Sequence, residues 1–297
     1  MLSSVCLSSF LLYLEIIAIS IVFFVSLNSE LRISSSLLYL YSINVVSFLI
    51  VVWSIVMMEE ILLVFAFFLK LSFFPFVWWF PYVSDQINFF CFFLIGLLNK
   101  IFPLLLIYVN DYFSSKSVVV MVVITVIISL VNMSLNQNNI KIFLAWSSNI
   151  NFSLILLIMH INWLSGLIYL GFYFMMIIMF LYFLEYQGVY WDQFCVSNWL
   201  SLIGLLIGLC VFSGIPPFFG FFCKYILFLS INQIEESSMS LFVFFFFFFI
   251  LVLQSFIYIN MMFKLSLSKW FFNCDFNFIS MGVLMISLIF MVFFIVV

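Results

Sequence analysis

Charge is what this sequence has least of. Only 6% of its 297 residues are Asp, Glu, Lys or Arg, against about a quarter in a soluble domain. Hydrophobic residues make up 68%, and the mean hydropathy is +1.42, which excludes a soluble domain. Histidine occurs once, at His160, and the six cysteines (Cys6, Cys91, Cys195, Cys210, Cys223, Cys274) are scattered without a CxxC spacing. That pattern fits buried free thiols rather than a metal centre or a disulfide framework. No GxGxxG turn, Walker loop or HExxH pair is present. A net charge of −3 gives no signal for nucleic acid. The N-terminus, MLSSVCLSSFLLYLEIIAIS, has neither the basic n-region of a signal peptide nor the Arg-rich character of a transit sequence.

What is present is phenylalanine and long apolar runs. Phe supplies 46 residues, six of them consecutive from Phe244 to Phe249. Apolar stretches of about 20 residues recur end to end, each long enough to cross a bilayer as a helix. Lipid offers no partner to free backbone groups, so spanning segments must be helices or closed barrels. The short alternating strands of a barrel are missing. The fold class is therefore an all-α polytopic membrane protein, read as a single transmembrane domain over residues 1–297. Ten spans are expected, near 5–27, 36–58, 61–82, 89–109, 117–134, 140–159, 164–184, 199–231, 240–262 and 278–296. Two of them are broken: the third at Pro75, and the eighth at Gly214-Ile215-Pro216-Pro217. Basic residues in alternate connectors (Arg32, Lys141, Lys264, Lys269) place both termini on the outer side by the positive-inside rule.

Four charges sit where connectors do not explain them. Lys70 lies in FLKLSFFPFVWWFP, Lys100 in FLIGLLNKIFPLLLIYV, Lys224 in SGIPPFFGFFCKYILFL, and Glu15 in FLLYLEIIAISIVFFV. A charge near the bilayer centre costs about 2.5–3.5 kcal/mol on insertion scales. Snorkelling to the interface is the plainer reading for a lysine near a helix end. Lys70 and Lys100 each stand two or more turns from the ends of their spans, which weakens it there. The functional reading is that these groups face the protein interior and pass protons. Desolvation favours a neutral amine and a nearby carboxylate favours the ammonium, so the balance can leave a lysine able to take and release a proton. Glu15 is the carboxylate placed deep enough to act as that partner. Helix breaks at depth are tolerated where they line a cavity or are covered by protein, and paired Gly/Pro-interrupted spans mark the sites of inverted-repeat transporters.

At these residues the sequence resembles a known family, the antiporter-like chain 2 subunit of mitochondrial NADH:ubiquinone oxidoreductase (complex I). FLKLSFFPFVWWFPYV is similar to that family's K-L-G-x-A-P-F-H-F-W-x-P-E-V segment, and GLLNKIFPLLLI to W-Q-K-x-A-P-x-x-I. LNQNNIKIFLAWSSNI resembles L-N-Q-x-x-x-R-K-I-x-A-Y-S-S-I, and FSGIPPFFGFFCKY resembles G-G-x-P-P-x-x-G-F-x-x-K-W. LLYLEIIAISIVFFVSL is similar to the helix that carries the family's membrane glutamate. The five segments keep the family's order from about residue 10 to 230. The chain departs from the pattern at Val77 and Asn151, where histidines are expected, and at Tyr82, where glutamate is. Lys141 stands alone where a basic pair is usual. The helix preceding the glutamate is expected to be missing.

The resemblance implies an antiporter-like inverted-repeat fold in the mitochondrial inner membrane. It implies a proton channel coupled to electron transfer from NADH to ubiquinone, with Glu15, Lys70, Lys100 and Lys224 on the proton pathway. It implies no cofactor in this chain; NADH, FMN, iron–sulfur clusters and ubiquinone would be bound by other subunits. The implied partners are a sister antiporter-like subunit, small hydrophobic membrane-arm subunits and lipid. A stand-alone cation/proton antiporter is the alternative, and a multi-helix receptor a more distant one. His160 is read as interfacial, and the Trp78-Trp79 pair as packing or an interface belt.

Overall fold

The computed structural model describes residues 15–23, 25–26, 34–109, 116–186, 206, 208–215, 219–231 and 238–267. Every regular element among them is a helix. In chain order these are α1 (15–23), α2 (Ser34–Met57), α3 (Glu60–Leu71), α4 (Trp79–Gln86), α5 (Phe89–Phe93), α6 (Asn99–Val109), α7 (Lys116–Leu135), α8 (Ile140–Ile161), α9 (Trp163–Tyr186), α10 (208–213), α11 (Phe219–Ile231) and α12 (Ser238–Leu267). Among the described residues, five helices are long and apolar enough to cross a membrane: Ser35–Met57, Phe89–Ile107, Val118–Leu135, Ile140–Ile161 and Phe245–Leu265. The third expected span appears as α3 and α4, and the fourth as α5 and α6. The tenth, near 278–296, lies outside the described residues.

The chain divides into two compact units, residues 1–167 and 168–297. In the first, α8 packs against α4, α6 and α7, and α3 against α2 and α6. Almost all of α8 from Phe143 to Met159 is buried, so its polar residues must find partners within protein. Its serines do so locally: Ser147, Ser148 and Ser153 donate to the carbonyls of Leu144, Ala145 and Ile150 at 2.7–2.8 Å. The periphery is the reverse. α2 exposes Leu38, Leu49, Trp53 and Val56, apolar area that suits contact with lipid rather than water. In the second unit α11 packs against α12. Stacked rings join α9 to α11 (Phe172–Phe222, 6.0 Å between centroids) and α10 to α12 (Phe212–Tyr258, 6.2 Å).

The first break is built from sequence upward. α3 is an apolar run without glycine or proline, EILLVFAFFLKL, that stops at Ser72, which adopts a left-handed conformation (φ 57°, ψ 48°). The amides of Ser72 and Phe73 turn back onto the carbonyls of Leu69 and Phe68 at 3.3 and 2.9 Å, closing the helix end as left-handed C-caps do. Trp79 donates its indole N–H to the Leu69 carbonyl at 2.7 Å, tying the start of α4 to the end of α3. The turn holds Pro75, preceded by a cis peptide, and Pro has no amide to continue a helix. Trp79 is thus a packing residue, whereas Trp78 is exposed and meets Trp146 edge-on at 5.2 Å.

A second irregularity precedes Lys100. Residues Leu94–Leu98 form one turn of π-helix between α5 and α6, and Pro103 lies inside α6. Gly96, in that turn, leaves room for the Phe80 ring, whose Cζ would stand 3.1 Å from an added Cβ.

Candidate functional site

Three lysines are buried in apolar helices: Lys70 is 2% exposed, Lys100 0% and Lys224 4%. The sequence reading therefore had their burial right, and each has its own surroundings.

Lys70 occupies the last turn of α3, where the negative end of the helix dipole favours a cation. Its charged partner among the described residues is Glu15 on α1, and the two attract each other. Glu15 keeps one carboxylate oxygen, Oε2, buried without a hydrogen bond. The two members of the Glu–Lys pair anticipated from sequence thus lie within electrostatic range of each other.

Lys100 sits in the first turn of α6, behind the π turn, and its amine is held from three sides. Nζ donates to Asn149 Oδ1 of α8 at 2.6 Å and to Ser72 Oγ at the first helix break at 3.0 Å. The Phe80 ring centroid lies 4.0 Å from Nζ and that of Phe152 5.3 Å away, close enough for attraction to the ring face. Ser72 Oγ stands 2.7 Å from Asn149 Oδ1 and also within reach of the Leu71 carbonyl. No charged side chain among the described residues bears on Lys100. Among the described residues, its ammonium would be met by dipoles and rings alone.

Lys224, on α11, belongs to the second unit. α10 ends at residue 213, and Gly214 turns the chain with φ 70°. The Lys224 amine donates to the Ser213 carbonyl at that end. A Cβ on Gly214 would stand 2.5 Å from Lys224 Cε and 2.8 Å from Nζ. Glycine is therefore required twice here, for the positive φ and for the lysine that lies across it.

The sequence reading did not single out Ser72, Asn149, Phe80 or Ser213. Two of them left a signal in the segments quoted above. Ser72 stands at the glycine of K-L-G, and Asn149 at the isoleucine of S-S-I. Of the other departures, Val77 and Asn151 are buried, and Tyr82 is exposed with its ring 5.5 Å from that of Tyr39. Lys141 is half-exposed at the start of α8, 5.4 Å from the Phe89 ring, and His160 is exposed at its end. Cys91, Cys210 and Cys223 are not joined in disulfides.

No protein-family model matches the chain. In sequence it is similar to NADH-ubiquinone oxidoreductase chain 2 of Anopheles gambiae, 26% identical over 258 residues that cover 79% of this chain and 73% of that protein. In fold it matches a chain of an archaeal respiratory membrane complex, the membrane-bound sulfane sulfur reductase. The TM-score is 0.70 at 15% identity, over 95% of this chain and 68% of that one. A chain of respiratory complex I from Thermus thermophilus matches with a TM-score of 0.66 at 14% identity, over 86% of this chain and 64% of that one. This chain thus spans less than two thirds of the Thermus chain's length. These likenesses fix the fold as a multi-pass, all-α membrane fold of the antiporter-like kind. The resemblance drawn from five sequence segments therefore holds: the chain is similar in sequence to NADH-ubiquinone oxidoreductase chain 2 and folds like chains of respiratory membrane complexes.

Proposed function

We propose that this chain is a membrane-arm subunit of mitochondrial complex I, residing in the inner membrane. As one transmembrane domain it carries a proton channel driven by electron transfer from NADH to ubiquinone. The observation that supports this reading is the burial of Lys70, Lys100 and Lys224 inside apolar helices of a chain similar to NADH-ubiquinone oxidoreductase chain 2. Charges so placed are costly and accordingly mark ion or proton routes. Glu15 biases Lys70, Lys100 passes protons onward, and Lys224 is the exit-side group. The redox cofactors and ubiquinone belong to other subunits. The partners are further membrane-arm subunits, including a sister antiporter-like one, and lipid.

The test is Lys70→Met in the purified, reconstituted complex that carries this chain, with NADH-driven quinone reduction and proton pumping measured together. Collapse of both with assembly intact is the expected outcome. Normal values for both would make Lys70 a snorkelling lysine. Cation/proton exchange by the chain purified alone would favour the stand-alone antiporter.

A further inference from the structure

We propose that Ser72 and Asn149 form a clasp that positions the Lys100 amine in both of its protonation states, Asn149 as a fixed acceptor and Ser72 as a reversible one. The proposal rests on Lys100 being a proton carrier, as above. Its basis is the geometry at Nζ: Asn149 Oδ1 at 2.6 Å, Ser72 Oγ at 3.0 Å, and 2.7 Å between the two oxygens. Ser72, Lys100 and Asn149 are each 0% exposed, so bulk water does not compete for these bonds.

A hydroxyl both donates and accepts, an amide oxygen only accepts, and an ammonium only donates. With Lys100 charged, Nζ–H donates to both oxygens, and the Ser72 proton points to Asn149 Oδ1 or the Leu71 carbonyl. With Lys100 neutral, the amine gains a lone pair. Ser72 then turns its proton into that lone pair while a remaining Nζ–H keeps Asn149 Oδ1. No covalent bond of Ser72 or Asn149 changes, and the proton that leaves Lys100 passes along the pathway. Each state is hydrogen-bonded, so the amine can be discharged and recharged without moving.

Two features argue against a purely structural role. Asn149 Nδ2 is buried without a hydrogen-bond partner, a cost that an apolar residue would avoid. Asn149 serves the site through its oxygen. Ser72 holds a left-handed backbone that glycine adopts more readily, so its side chain is what serine adds there. The titratable groups among the described residues on the elements around Lys100 are Glu60 and Lys70 on α3, Tyr82 and Asp85 on α4, Cys91 on α5, and Lys141 and His160 on α8. None bears electrostatically on Lys100, which leaves the clasp and the rings as its polar surroundings.

The experiment uses the intact membrane complex carrying Ser72→Gly, Asn149→Leu or Lys100→Met. Assembly, NADH-driven pumping and the pH profile of pumping are read for each. Ser72→Gly removes the hydroxyl while easing the backbone. The expected result is normal assembly, pumping reduced about tenfold, as loss of a hydrogen bond to a charged group implies, and a pH profile displaced from the native one. Asn149→Leu, which keeps the branching of the side chain and removes both of its polar groups, is expected to do the same. Full pumping with an unmoved profile in both variants overturns the clasp, as does a Ser72→Gly chain that fails to assemble. Lost pumping in Lys100→Met with both other variants normal sinks the clasp alone. Normal pumping in Lys100→Met removes the proton-carrier reading, and the clasp with it.

Discussion

The two helix breaks solve one problem with opposite means. Each needs a residue with positive φ and a partner for carbonyls the helix no longer serves. At the first break the residue is Ser72, the freed Leu69 carbonyl takes the Trp79 indole N–H, and the Ser72 hydroxyl is left to meet a lysine from another helix. At the second it is Gly214, and Lys224 itself donates to the carbonyl at the helix end while its stem fills the space where a Cβ would be. Lys224 is therefore part of what closes its break. Lys100 only visits a break that is already closed. A buried lysine can thus be bound into the fold or held by it, and mutations separate the two.

The largest effect is expected at Gly214. Gly214→Val forces a branched side chain into φ 70° and against Lys224 Cε, and for a β-branched residue that conformation is an outlier. Little or no chain should accumulate in the membrane complex, as quantified by blue-native gels. Ser72→Val would share the backbone cost, but Ser72→Gly should assemble normally. Assembly of Gly214→Val at native level would break the contrast between the two sites.

Next in size is the difference between Lys224→Met and Lys100→Met. The first leaves the Ser213 carbonyl without its donor, which costs about 1–3 kcal/mol when the group is buried. The second leaves Ser72 and Asn149 still able to bond each other. Lys224→Met should lower the dissociation temperature of the detergent-solubilised complex as well as its turnover. Lys100→Met should lower turnover with little thermal loss. Equal thermal losses would mean that both lysines are structural.

Smaller again is Trp79→Phe, which replaces the buried indole by a smaller phenyl ring and removes its N–H from the Leu69 carbonyl. A loss of about 1–2 kcal/mol is expected, from the net worth of one hydrogen bond together with the packing lost to the smaller ring. Thermal dissociation should report it, with pumping per NADH unchanged.

Much of this was legible in the sequence. The helix order followed from apolar run length, and both breaks from Pro75 and from Gly214 with its following prolines. The buried lysines followed from their distance to any connector. What the sequence did not announce were the groups that receive the lysines. Ser72 and Asn149 lie 28 and 49 positions from Lys100, and their meeting depends on how α3, α6 and α8 pack. Serine in an apolar helix is ordinarily satisfied by its own backbone, as Ser147, Ser148 and Ser153 are, so its presence alone points nowhere. The π turn at Leu94–Leu98 was similarly silent. It became visible only as the place where Gly96 admits the Phe80 ring that lies under Lys100.

The smallest expected effect isolates the backbone of the first break. Ser72→Ala and Ser72→Gly both delete the hydroxyl, so both should impair pumping alike if the clasp acts as proposed. They differ only in the residue asked to hold φ 57°. Alanine pays a steric penalty there, whereas glycine loses more unfolded-state freedom on folding, and the two partly cancel. The glycine variant should be the more stable by about 1 kcal/mol or less, seen as a slightly higher dissociation temperature at equal pumping. Alanine as stable as glycine would mean that the cap bonds of Ser72 and Phe73 to Leu69 and Phe68, not residue preference, hold the turn. Its resemblance to the second break would then end at the sign of φ.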